Sequence, residues 1–97
     1  MKNKIGHKLK AARAALGLSL EQVANRTELS VTIIHAIESG RTKRPKMSHL
    51  VSLAKIYNLP EDDIIIAAEK IPSDVYWKIV GNPALLNTIR EINVSEI

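Results

Sequence analysis

The side chains best suited to chemistry in this sequence are cations in a short loop, and the chemistry they suit is the binding of a polyanion. Four residues of the segment RTKRPK are positively charged, namely Arg41, Lys43, Arg44 and Lys46. Guanidinium and ammonium groups pair with phosphate oxygens. The segment directly follows a helical pattern that runs from Ser30 to Ser39. A helix face beside a cationic loop is the combination that a protein needs to enter the major groove of duplex DNA.

The sequence lacks the residue patterns of an enzyme, a cofactor site or a metal site. It contains no cysteine and no glycine-rich phosphate loop. The three histidines, His7, His35 and His49, are not spaced four residues apart as a helical metal-binding pair requires. The acidic run Glu61–Asp63 is better explained as first-turn charge at the positive end of a helix dipole. We therefore predict no enzymatic activity, no cofactor, no metal and no small-molecule ligand.

Charge is divided unevenly along the 97-residue chain, whose net charge is +4. Residues 1–58 hold eleven lysines and arginines against three acids, a balance of +8, whereas residues 59–97 hold three against seven, a balance of −4. This division suggests one half that binds a polyanion and another half with a different role. The lack of cysteine and of any apolar stretch of membrane-spanning length predicts a cytoplasmic protein outside the membrane.

Apolar residues recur at three- and four-residue spacing along most of the chain, which predicts an all-α fold. No alternating run of β-branched residues is present, so no strand is expected. The predicted helices cover about residues 3–16, 19–27, 30–39, 47–57, 61–69, 73–80 and 83–92. The first five helices are expected to form one domain over residues 1–69, and the last two an extension over residues 70–97.

Capping signals predict several of the helix ends. Ser19 followed by Gln22 forms a capping box for the second helix, and Ser30 caps the third. Gly17 is expected to end the first helix because a left-handed residue commonly follows a helix there. Asn82 is expected to cap the last helix.

Taken together, these features resemble the Cro/C1-type (XRE-like) helix-turn-helix family of transcriptional regulators. The resemblance covers about residues 4–66 and includes the closing segment LAKIYNLPEDDII. The residues that carry it, in order and spacing, are Arg13, Ala24, Ile34, Ile37, Glu38, Gly40 and the TKRP of 42–45. The resemblance implies a five-helix lambda-repressor-like DNA-binding domain with a C-terminal two-helix extension.

Two further expectations come from the same resemblance. It implies a structural ion pair between Arg13 on the first helix and Glu38 at the end of the third. The family usually has glycine in the turn between the second and third helices, where this chain has Glu28. A left-handed conformation at Glu28 would cost roughly 1–2 kcal/mol.

The resemblance also implies which residues face the bases of DNA. The base-facing positions of the family match Val31, Thr32 and Ala36 on the third helix and Leu20 at the start of the second. Thr32 can form a hydrogen bond, whereas Val31 and Ala36 can contact the methyl group of thymine. His35 lies on the outer face of the third helix, where it could reach a base or a phosphate or remain solvated.

A larger set of polar side chains is expected to contact the phosphates. Those expected contacts are Ser19, Asn25, Ser39, Arg41, Lys43, Arg44 and Lys46. Neutralising several phosphates would make the affinity for DNA fall steeply as salt rises.

The extension over residues 70–97 has two interpretations. In one, side chains such as Tyr76, Trp77, Leu85 and Ile89 cover the five-helix core. In the other, which we favour, the extension forms a homodimer interface through Tyr76, Ile79, Leu85, Leu86 and Ile89. A symmetric dimer would set two recognition helices about 34 Å apart and require a pseudo-palindromic site.

The sequence therefore predicts a dimeric regulator of transcription that binds double-stranded DNA, most simply a repressor that occludes a promoter. An alternative is a protein-interaction module on the same fold, of an antitoxin-like or anti-regulator kind. The apolar outer face VTIIHA of the third helix favours that alternative.

Overall fold

The computed structural model describes residues 4–92, and within that range every regular element is a helix. The helices are α1 (Lys4–Ala15), α2 (Leu20–Arg26), α3 (Val31–Glu38), α4 (Met47–Ile56), α5 (Glu61–Ala67), α6 (Ser73–Gly81) and α7 (Leu85–Arg90). The predicted all-α fold is confirmed. None of these helices combines the length and the apolar character needed to cross a membrane.

Short polar side chains begin the two helices of the central motif. The Gln22 backbone N–H donates to the Ser19 hydroxyl at 3.1 Å, and the Ser19 N–H donates to the Gln22 side-chain oxygen at 2.8 Å. These two bonds form the predicted capping box of α2. The Ile33 N–H donates to the Ser30 hydroxyl at 3.1 Å and thereby caps α3. Gly17 follows α1 with a φ of +68°, which makes it the expected left-handed terminator.

The turn between α2 and α3 needs no left-handed residue, so the expected strain at Glu28 is wrong. Thr27 has an extended backbone, with φ −129° and ψ −178°. The Thr27 hydroxyl donates to the Val23 carbonyl at 2.9 Å and accepts the Leu29 N–H at 3.1 Å. The Thr27 side chain therefore connects the end of α2 to the residue before Ser30. Glu28 does not have a positive φ.

The core is aliphatic except for Tyr57 and is shared by α1 to α5. Its buried members are Leu9, Val23, Leu29, Ile34, Ile37, Leu50, Leu53, Ala54, Tyr57 and Ile64. Of the adjacent pair Ile33 and Ile34, only Ile34 is fully buried, while Ile33 packs at the margin. Removing this much apolar surface from water is what holds the two helices of the motif in place.

The last two helices lie outside this core. Neither α6 nor α7 has a buried residue. Tyr76 is 50% exposed, Trp77 65% and Ile89 46%. The interpretation in which the extension covers the five-helix core is therefore wrong.

The expected cap at Asn82 is also wrong. Asn82 ends α6 instead, where its N–H donates to the Ile79 carbonyl at 3.1 Å. The Asn82 carbonyl then accepts the Leu85 N–H at 3.0 Å, which forms a turn before α7. Ala84 precedes α7 and supplies no side-chain cap. The predicted end of the last helix near residue 92 is also later than the observed end at Arg90.

Candidate nucleic-acid interface

Helix α3 has one face inside the protein and one face outside. Ile34, Ile37 and Glu38 are buried on the inner face. Thr32 and His35 are exposed on the outer face, and Val31 is 37% exposed. Burying one side of so short a helix fixes its rotation about its own axis, so the same side chains always face outward.

The end of α3 is fixed to α1 by a two-point ion pair. Arg13 Nε donates to Glu38 Oε2 at 2.7 Å, and Arg13 Nη2 donates to Glu38 Oε1 at 2.9 Å. Arg13 Nη1 donates to the Leu18 carbonyl at 2.9 Å and so also holds the loop before α2. The Arg13 side chain is 15% exposed and the Glu38 side chain 3%. The hydrogen bonds to Glu38 raise the pKa of Arg13 against the opposing effect of burial.

Tyr57 is packed beside this ion pair and cannot easily ionise. Its hydroxyl is buried and has no hydrogen-bond partner among residues 4–92. Burial, together with the negative charge of Glu38, raises the pKa of Tyr57 to about 12, while Arg13 opposes the change. The ion pair and Tyr57 are therefore largely shielded from solvent, which strengthens the attraction between the two charges.

The basic loop reverses direction at a glycine after α3, and its cations are exposed to solvent. Gly40 has a φ of +82°, a left-handed conformation that suits glycine. The Thr42 N–H donates back to the Ala36 carbonyl at 3.1 Å. Pro45 is buried and anchors the far end of the loop. The cations predicted to contact phosphate are all exposed, namely Arg41, Lys43, Arg44 and Lys46.

Two lysines that residue spacing did not associate with DNA binding lie beside this loop. An open groove of about 680 Å³ is lined by Lys43 and Arg44 from the loop, Lys4 from the start of α1 and Lys70 from the segment after α5. Glu69 is the acidic residue in the lining. Lys4 and Lys70 are far from the loop in sequence, so no local spacing could have associated them with it.

The remaining expected contacts differ in their exposure to solvent. Leu20 and Ala36 are half-buried, whereas Ser19, Asn25 and Ser39 are exposed. The Ser19 hydroxyl accepts the capping bond of α2, and the Ser39 hydroxyl donates to the Ala36 carbonyl at 3.3 Å. Both hydroxyls therefore have a structural partner already.

The structure places Arg41 beside His35, a contact that the sequence pattern did not indicate. The His35 Nδ1 atom lies 3.0 Å from the Arg41 Nη2 atom. The two residues are six positions apart, and the reversal at Gly40 brings them together.

No group of three or more histidine, cysteine, aspartate or glutamate side chains in the described part of the chain could hold a metal ion.

Comparison with known proteins agrees with this architecture. A family model described as "Helix-turn-helix domain" matches residues 4–64. The chain is 27% identical over 81 residues to a protein of Coxiella burnetii named "Uncharacterized HTH-type transcriptional regulator", which covers 84% of this chain and 37% of the relative. The chain thus spans a little over a third of that relative's length. No solved structure matches the chain significantly.

The matched region contains α1 to α4, the first turn of α5, the capped pair α2–α3 and the ion pair that holds α3. It covers well over half of the chain. The resemblance inferred from the sequence is confirmed, and the chain belongs to the helix-turn-helix domain family.

Proposed function

We propose that the protein binds duplex DNA sequence-specifically, with α3 in the major groove, and regulates transcription as a repressor. The observation that carries this proposal is the placement of the exposed face of α3 directly beside an exposed cationic loop. The relative named as a transcriptional regulator supports the same function. Repression would follow if the bound protein excludes other proteins from promoter DNA.

Sequence recognition is assigned to five side chains at the start of α2 and along α3, namely Val31, Thr32, His35, Ala36 and Leu20. Thr32 and His35 can exchange hydrogen bonds with base edges, and the apolar side chains can contact the methyl group of thymine. Because Leu20 and Ala36 are half-buried, we expect them to contribute less than the three exposed residues.

Affinity is assigned mainly to contacts with the phosphates. The proposed contacts are Ser19, Asn25, Ser39, Arg41, Lys43, Arg44 and Lys46, of which the four cations supply the electrostatic attraction. Lys4 and Lys70 extend the positive surface along the groove beside the loop. Phosphate contacts position a protein on DNA and make its affinity depend strongly on salt, but they do not select sequence.

We further propose that two copies associate through α6 and α7, which would place two α3 helices on one face of the DNA. The support is a run of exposed apolar side chains along both helices, which includes Tyr76, Val80, Leu86 and Ile89. Exposed apolar surface of this extent commonly marks an interaction site. Ile79, which we also assign to this interface, is half-buried.

The test is the selection of bound sequences from a pool of random duplexes, with affinity followed by fluorescence anisotropy across a salt series. Enrichment of a palindromic site that contains thymine, with affinity that falls steeply as salt rises, is the expected result. Salt-dependent binding without enrichment would reduce the proposal to non-specific DNA binding.

A charge-matched pair of variants separates this function from the protein-interaction alternative. Reversing Lys43, Arg44 and Lys46 to glutamate should abolish DNA binding. Reversing three exposed lysines elsewhere, Lys8, Lys10 and Lys78, changes the net charge equally and should weaken binding much less. Failure of the unmodified protein to bind any duplex at low salt would overturn the DNA function and favour a module that binds a partner protein.

A further inference from the structure

We propose that Arg41 fixes the tautomer and orientation of His35, so that His35 presents a hydrogen-bond donor to the major groove and selects against cytosine at one base position. The inference rests on the proposed function and specifies the chemistry of one base contact within it. Its starting point is the distance of 3.0 Å between Arg41 Nη2 and His35 Nδ1. Both residues are exposed on the outer side of α3 and of the loop that follows it.

The backbone around Arg41 is held on both sides, so the contact follows from how the chain turns. Gly40, with its φ of +82°, donates its N–H to the Ile37 carbonyl at 3.2 Å. Thr42 donates its N–H to the Ala36 carbonyl at 3.1 Å. These two bonds fold the loop back along the last turn of α3 and bring the guanidinium of Arg41 to the imidazole ring.

The contact determines which nitrogen of His35 carries the proton. A guanidinium group has donors and no acceptor, so the partner nitrogen Nδ1 must accept the hydrogen bond. An imidazole that accepts at Nδ1 is neutral and has its proton on Nε2. The Nε2–H group is the ring nitrogen that Arg41 leaves available for a base, and it can only donate. Arg41 keeps its other N–H groups for phosphate oxygens.

A fixed donor distinguishes among bases in the major groove. Guanine offers N7 and O6 as acceptors, adenine offers N7, and thymine offers O4, whereas cytosine offers only its N4 amino donor. A donor on His35 can therefore pair with three bases and is opposed by the fourth. Of the five proposed base-contacting side chains, only Thr32 and His35 carry a polar group, and Thr32 can donate or accept. Of these side chains, only His35 is therefore expected to act as a fixed donor that discriminates against cytosine.

The first test measures the tautomer in the DNA-free, 97-residue chain by nitrogen NMR of the imidazole rings. His7, an exposed histidine on α1, serves as the reference in the same spectrum. We expect a larger fraction of unprotonated Nδ1 at His35 than at His7. Arg41→Ala should remove that difference, and Arg41→Lys, which keeps a donor, should restore it. A protonated Nδ1 at His35, or no response to Arg41→Ala, would overturn the inference without bearing on DNA binding.

The second test repeats sequence selection from random duplexes with the variants. The unmodified chain should disfavour cytosine by about five- to ten-fold at one position of each half-site. His35→Ala and Arg41→Ala should both relax that preference, and Arg41→Lys should restore it. Lys43→Ala is the control, because loss of a phosphate contact weakens all sequences about equally.

The outcomes separate this inference from the function on which it rests. If the unmodified chain selects an operator and His35→Ala leaves every base preference unchanged, the inference is wrong and the DNA function stands. If Arg41→Ala weakens all sequences equally without relaxing one position, Arg41 is a phosphate contact only and the inference is wrong. If the unmodified chain enriches no sequence, the proposed sequence-specific function and the assigned base preference fail together.

Discussion

At the scale of single residues, the ion pair between Arg13 and Glu38 is the contact that fixes the end of α3. Its four polar atoms meet in two parallel hydrogen bonds, and both side chains are largely removed from solvent. Breaking a buried pair by removing one partner is strongly destabilising, whereas replacing both partners by apolar residues is often tolerated.

We therefore expect Arg13→Met to lower the free energy of unfolding by about 3 kcal/mol. The double variant Arg13→Met/Glu38→Leu should lose clearly less than the sum of its two single variants. Urea denaturation of all four proteins measures this coupling. Arg13→Lys is the control for charge alone, and it should remain destabilised because lysine cannot make the two-point contact. Additive losses would mean that the pair contributes no more than a surface contact.

The raised pKa of Tyr57 predicts how the free energy of unfolding depends on pH. Its folded pKa of about 12 lies above the ordinary value of 10.0, so the fold favours the neutral phenol. The stability that this preference contributes is fully present below pH 10 and is lost as the pH rises towards 12. The loss should be on the order of 2 kcal/mol.

The matched variant for this prediction is Tyr57→Phe, which removes the buried hydroxyl. It should leave stability at neutral pH unchanged or slightly higher, because that hydroxyl has no hydrogen-bond partner in the described structure. It should also lose less stability than the unmodified chain between pH 10 and pH 12. Urea denaturation at several alkaline pH values checks both effects, and identical pH profiles for the two proteins would contradict them.

At the scale of elements, replacing either of two glycines by alanine should change stability in opposite directions. Gly17 follows α1 with a φ of +68°, whereas Gly81 is the last residue of α6 and lacks a positive φ. No atom lies within 4 Å of a Cβ added at either position. Gly17→Ala should therefore lower stability by about 1 kcal/mol through backbone strain alone.

Gly81→Ala should have the reverse effect and increase the helix content of α6, with a gain of up to about 1 kcal/mol. Circular dichroism and thermal denaturation of both variants measure the contrast. Equal effects of the two substitutions would show that the left-handed backbone at Gly17 has no energetic importance.

The elements also show which features the sequence could predict. Caps at Ser19 and Ser30 were predictable because each depends on residues within one turn of the helix. The predicted cap at Asn82 is wrong because backbone hydrogen bonds form a turn at that position. The strain predicted at Glu28 is absent because hydrogen bonds of the Thr27 hydroxyl stabilise the turn without a left-handed residue.

The candidate site was predictable where it is continuous in sequence and not where folding assembles it. The outer face of α3 and the cationic loop follow directly from residue spacing. The approach of Lys4 and Lys70 to that loop depends on how α1 and α5 pack, which no local pattern contains. The contact between His35 and Arg41 depends on the reversal at Gly40.

At the scale of the whole molecule, the protein is elongated, with extents of 46 × 27 × 23 Å, and α6 and α7 have no buried residue. Their apolar side chains are exposed, and Trp77 is the most exposed of them at 65%. We expect this surface to be covered by a second copy. Analytical ultracentrifugation should therefore report a dimer.

Glutamate at two exposed apolar positions, Val80→Glu and Ile89→Glu, should give a monomer with unchanged helix content. Asn87→Glu, at an exposed polar position on α7, should remain dimeric. The monomer should bind a full palindromic site much more weakly than the dimer does, while both bind a half-site similarly. If the unmodified protein is a monomer at all concentrations, the proposed dimer is wrong.

The separation of α3 into a buried face and an exposed face has a consequence for how this protein can change over generations. The side chains that hold the helix are Ile34, Ile37 and Glu38, while Val31, Thr32 and His35 face outward. Substitution at the outward positions removes little from the core, so most such mutants should still fold. A lineage can therefore alter what this surface recognises through single mutations, and its preferred target can diverge from that of its ancestors while the scaffold stays the same.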